Sequence, residues 1–151
     1  MPEPLEPRHT DFAEAVHASF HRQGVLEAWG ARIEDVQPGR VRLTLPYGPK
    51  VTQQQGFFHG GVVATLGDSA GGYAAMTLLD AGQEIVSVEY KVNFLAPAVG
   101  ELLEATGHCV KPGRRVLVST VDVDVVRQGD RHRCAVLLQT LMPVEPIENR
   151  S

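Results

Sequence analysis

The stretch from Gly61 to Leu79 most constrains what this chain can become. Val62, Val63, Leu66, Ala70, Tyr73, Ala74 and Leu78 recur at helical spacing and predict one long helix with an apolar stripe. Gly61, Thr65, Asp68, Gly72 and Ala75 share the other side, and apart from the acid all are small. Gly67, Gly71 and Gly72 fall in the helix interior, where each glycine costs close to 1 kcal/mol relative to alanine, about 3 kcal/mol together. Close approach by strands or by another helix is the natural compensation.

The segments around this helix say what approaches it. Thr10 to Gln23 begin with an N-cap residue and place Phe12, Val16 and Phe20 on one side, a short first helix stopped at Gly24. ARIEDV and RVRLTLPY, separated by Gln37-Pro38-Gly39, read as a β-hairpin. Gly48 to Phe58 is a loop. After Gly82 come four β-rich segments, Ile85 to Phe94, Gly100 to Val110, Arg115 to Arg127 and His132 to Met142, leaving Pro143 to Ser151 as a frayed tail. Antiparallel strands interrupted by one long helix predict an α+β domain whose sheet wraps or covers that helix. The 151 residues fit a single domain, with a core from about 20 to 142 and flexible tails.

Composition removes several function classes. Apolar residues at 43% and charged residues at 21% suit a packed core. A net charge of −4 offers nucleic acid or an anionic membrane no general attraction. The acidic, proline-rich first residues lack the pattern of a secretion signal, and no run of about 20 apolar residues occurs, so a cytoplasmic protein is expected. Cys109 and Cys134 read as small buried hydrophobes. The six histidines show no convincing ligand spacing, so no metal or cofactor is expected.

The chemistry concentrates in Gln53-Gln54-Gln55-Gly56-Phe57-Phe58-His59-Gly60-Gly61 and in Asp68. A helix N-terminus directly after a glycine-bearing loop leaves backbone N–H groups near Gly60 and Gly61 to meet an oxygen carrying negative charge. Asp68 sits mid-helix among glycine and alanine, an odd place for a merely solvated acid. Gly60 and Asp68 are eight positions apart, roughly 12 Å along one helix. If both act on one atom, they come from two antiparallel copies of the helix across a twofold interface.

This arrangement resembles the hotdog-fold acyl-CoA thioesterases, in particular the phenylacetyl-CoA thioesterase-like (PaaI-type) group. That group carries a polar amide residue, then G-x-x-H-G-G, then an aspartate nine positions after the histidine; the likeness runs from about Phe20 to Met142 and includes Ser87 to Ala98. It implies a hotdog fold, an antiparallel sheet wrapped around a long central helix. It also implies hydrolysis of an acyl-CoA thioester in a homo-oligomer, a dimer with shared active sites and further a tetramer. The Gly60 N–H would then polarise the thioester carbonyl, and Asp68 of the partner chain would serve as general base or nucleophile. Gln53 stands where the family commonly has asparagine, and would hydrogen-bond the thioester or the lytic water. Ser87 would help to place that water. His59 either holds the loop or polarises the substrate, and Gly61 and Thr65 fall among the substrate-contacting positions. Arg114 and Arg115 follow a turn and suit coenzyme A phosphates, or equally a solvated surface. A non-catalytic acyl-CoA-binding regulatory module remains the alternative, with Asp68 the discriminating residue. A dehydratase or hydratase ranks last, because no acid–base histidine motif of that kind occurs.

Overall fold

The computed structural model describes residues 3–147. Two short helices, α1 (Phe12–Phe20) and α2 (Gly24–Trp29), precede a hairpin of β1 (Arg32–Gln37) and β2 (Arg40–Pro46). The long helix α3 (Gly60–Met76) follows, and then β3 (Glu84–Phe94), β4 (Leu102–Lys111), β5 (Leu117–Arg127) and β6 (Asp130–Val144). The six strands form one antiparallel sheet in the order β1-β2-β4-β5-β6-β3. Its inner face covers α3, as the hotdog fold requires.

Strand alternation explains which face turns inward. Leu117, Val121, Val123 and Val125 of β5, Ala135, Leu137 and Leu141 of β6, and Leu103 and Ala105 of β4 are all buried with Val62, Val63, Leu66, Ala70, Tyr73 and Ala74 of α3. A Cβ added at Gly67 would lie 2.8 Å from Leu137 Cδ1, and one at Gly71 would lie 2.8 Å from Val121 Cγ2. On the strand side, a Cβ at Gly107 would overlap the Ala70 carbonyl. Close approach of the sheet therefore offsets the helix cost of Gly67 and Gly71. Gly72 differs, since the nearest atoms to its added Cβ stand 3.8 Å away on Ile85 and Leu141.

Apart from shifts of one or two residues at strand ends, three departures from the sequence expectation stand out. The chain does not stop helix formation at Gly24; that residue opens α2, which ends at Gly30 in the left-handed conformation (φ 77°) that glycine adopts without strain. α3 closes at Met76 instead of Leu79, because Leu78 N–H and Leu79 N–H bond three residues back, to Ala75 and Met76, and tighten the last turn. Pro143 and Val144 do not fray but pair with Ile85 and Glu84 of β3, while the expected tail from 148 onward lies outside the described residues.

Candidate functional site

The N-terminus of α3 is built so that one donor stays free. His59 caps the helix with an extended backbone (φ −62°, ψ 137°), and its Nδ1 accepts from Gly61 N–H at 2.8 Å. The His59 carbonyl accepts from Val62 N–H at 2.9 Å and Val63 N–H at 3.0 Å. Among the described residues nothing accepts from Gly60 N–H, the remaining donor of the first turn. Gly60 lines a cleft of about 450 Å³ together with Gln53, Phe57, Phe94 and Cys134. The Gln53 side-chain oxygen Oε1 accepts from the Gln55 and Phe57 N–H groups and ties the loop, while the side-chain nitrogen has only a long 3.4 Å contact with Gln55. Cys134 is no nucleophile here: burial pushes its thiol up to about 11, and the thiol donates to the Val123 carbonyl.

Asp68 lies two turns further along α3, in a second cleft of about 370 Å³. Ser87 Oγ donates to Asp68 Oδ1 at 2.5 Å. A bulge between Ser87 and Glu89 breaks the β3–β6 register there. The amide nitrogen of Gln139, on β6, donates to Asp68 Oδ1, to the Asp68 carbonyl at 3.1 Å and to Ser87 Oγ at 2.9 Å. Beyond Gly72 the cleft ends in a directional chain. Gln23 donates to the Tyr73 hydroxyl at 2.7 Å, and Ser19 donates to Glu84 at 3.0 Å. Tyr73 in turn gives its proton to Ser19, 3.2 Å away. Burial raises the Tyr73 pKa, which keeps the phenol a donor.

The expected site residues thus fall into two groups within one chain. Gly60 and Gln53 share the first cleft, Asp68 and Ser87 the second, and neither cleft is lined by the other's pair. His59 and Gly61 form the cap, and Thr65 donates its hydroxyl to the Gly61 carbonyl at 2.8 Å. Arg114 and Arg115 are exposed in the β4–β5 turn, at the end of the sheet where α3 finishes, and line neither cleft. Gln139 is absent from the residues singled out in the sequence. Alternation sets Gln139 on the same face as Leu137 and Leu141, and the fold makes that face the inner one.

Residues 55–134 match the family model described as the thioesterase superfamily. This chain belongs to that superfamily. The solved structure of a thioesterase family protein from Silicibacter pomeroyi superposes with a TM-score of 0.87 at 44% identity, covering 89% of this chain and 99% of that one. The Escherichia coli PaaI protein from the phenylacetic acid degradation operon shares the fold, with a TM-score of 0.77 at 20% identity over 89% of this chain and 94% of its own. Among curated relatives, the 1,4-dihydroxy-2-naphthoyl-CoA hydrolase of Listeria monocytogenes is 27% identical over 66% of this chain and 81% of its own. The likeness read from the His59-Gly60-Gly61 and Asp68 motif is therefore borne out in fold and family, and the chain is a thioesterase-type hydrolase at that level. Among the described residues no helix is long and apolar enough to cross a membrane.

Proposed function

We propose that the protein hydrolyses an acyl-CoA thioester to a free acid and coenzyme A, in active sites shared between two copies of the chain. The observation that carries this reading is the unpaired Gly60 N–H at the mouth of a cleft, on the helix that also holds the tethered carboxylate of Asp68. The thioester carbonyl oxygen accepts from Gly60 N–H, where the positive end of α3 stabilises the oxyanion as the carbonyl carbon becomes tetrahedral. Asp68 of the other copy either takes the proton of the attacking water or attacks the carbonyl itself. In the first case water oxygen bonds to carbon, the C–S bond breaks and the thiolate leaves to be protonated. In the second an anhydride forms first and water then cleaves it. The Gln53 amide donates to the thioester or the water, and the cleft bounded by Gly72 and Tyr73 takes the acyl group.

The edge of the sheet supports the pairing. β3 is the last strand, bonded only to β6, and it exposes Val86, Val88, Tyr90 and Phe94 along 11 residues. An apolar edge of that length invites a second strand. Because α3 packs against β3, joining two β3 edges about a twofold axis sets two α3 helices antiparallel, with Gly60 of each toward Asp68 of the other. The test is a panel of acyl-CoA esters assayed for released thiol with the native chain and Asp68→Asn. Full activity in Asp68→Asn overturns the mechanism.

A further inference from the structure

The inner face of β6 runs Ala135, Leu137, Gln139, Leu141, and all four are buried. The amide is the single polar interruption in that row, and it is fully buried. Its oxygen, Oε1, has no hydrogen-bond partner. A Cβ at Gly71 would overlap that oxygen, so the helix also gives up a side chain to admit it. Val121 also presses on Gly71, but the buried unsatisfied acceptor is a penalty of the amide alone, one that a leucine at this position would not carry. Fold stability does not explain such a choice.

The other end of the amide explains it. The Nε2 group faces three acceptors: the Asp68 carbonyl at 3.1 Å, Ser87 Oγ at 2.9 Å and Asp68 Oδ1. These acceptors fix the orientation of the amide, since a flip would set its oxygen against a carboxylate and a carbonyl. The Ser87 proton is already committed to Asp68 Oδ1, so the Ser87 oxygen receives the amide proton. Both donors therefore converge on Oδ1, and among the described residues no group donates to Oδ2.

We infer that Gln139 is a positioning residue for the reaction: through Oδ1 and the Ser87 hydroxyl it locks the Asp68 carboxylate so that Oδ2 is the oxygen presented to water or thioester. This rests on the reading of Asp68 as the reacting carboxylate, and the amide itself touches no substrate.

The test is a double-mutant cycle on the full chain with the best acyl-CoA ester of the panel, measuring kcat, KM and thermal midpoint for Gln139→Met, Asp68→Asn and the double variant. Methionine keeps the length and buries no amide. The expected result is a kcat lower by about 10–100-fold, the scale of a misplaced reacting group, with KM within roughly twofold. The thermal midpoint should be unchanged or higher, and no further loss should appear when the change is made on Asp68→Asn. A kcat equal to the native value overturns the inference. So does a loss that multiplies in full with Asp68→Asn, or one that tracks a fallen midpoint. If Gln139→Met does not fold, Gly71→Ala displaces the amide from the helix side and must show the same kcat-selective, non-multiplying loss. Should Asp68→Asn alone keep full turnover, the proposed reaction fails; should it be inactive while Gln139→Met works normally, only the role of Gln139 fails.

Discussion

Replacing Gly60 by proline deletes one atom group, the N–H proposed to meet the oxyanion, and the structure says the deletion is local. Gly60 is the first helical position of α3, where proline's fixed φ is already suitable and its missing N–H breaks no helix bond. His59, the residue before it, has φ −62° and ψ 137°, inside the region that a following proline demands. The new Cβ would come closest to the end of the Phe94 ring, 3.2 Å away, which a shift of a few tenths of an ångström relieves. Loss of one such donor lowers kcat by roughly 10²–10³. Gly60 and Asp68, the two groups proposed to act on the thioester, are separated by eight residues, about 12 Å of rigid helix, whereas an oxyanion donor works at about 3 Å. One chain therefore cannot supply both. A heterodimer of Gly60→Pro with Asp68→Asn carries one doubly damaged site and one intact site. Equal amounts unfolded and refolded together give half mixed dimers, so released thiol should recover to about a quarter of the native rate from two nearly silent parents. Purified heterodimers as inactive as either parent would refute the shared site.

Further outcomes follow from other contacts. Asp68→Asn should lower turnover by at least about 10²-fold while leaving the thermal midpoint close to native, checked by thiol release and melting. Gly107→Ala forces a methyl group into the Ala70 carbonyl, so the unfolding free energy measured by chemical denaturation should fall by about 1–3 kcal/mol or more, the scale of overpacking. For Glu104, burial raises the carboxyl pKa, but Arg131 and Arg42 outweigh it and hold the net value below the usual 4.5. A folded pKa below the unfolded one contributes stability that is present at neutral pH and lost as pH falls through the folded value. The midpoint difference between native protein and Glu104→Gln should therefore be largest near pH 7 and shrink below pH 4.5. Cys109 and Cys134 are both pushed up to about 11 by burial, so a thiol-labelling reagent at pH 8 should leave the folded protein unmodified and label two thiols after unfolding.

What was legible in the sequence was whatever depends on period or on backbone chemistry. The apolar stripe of α3, the hairpin around Pro38-Gly39 and the strands after Gly82 obey periods of 3.6 and 2, and the His59-Gly60-Gly61 turn announces a helix start with an accessible backbone. The 12 Å separation of Gly60 and Asp68 needed only the helix rise. α2 was hidden because glycine ends helices more often than it begins them, and nothing local shows that Gly30 takes that role. Gln139 was hidden for a different reason. Val136 to Met142 are apolar on both faces of the strand apart from Gln139 and Thr140, which are adjacent in sequence and point to opposite sides. One bonds Glu89 on the outer face and the other holds Asp68 beneath the sheet. Alternation relates the two residues but does not say which is inside; the register with Ser119, itself buried and bonded to the Gly71 carbonyl, decides it. Pairing between strands is a long-range property, so the residue that orients the carboxylate could be assigned only once β5, β6 and α3 were seen together.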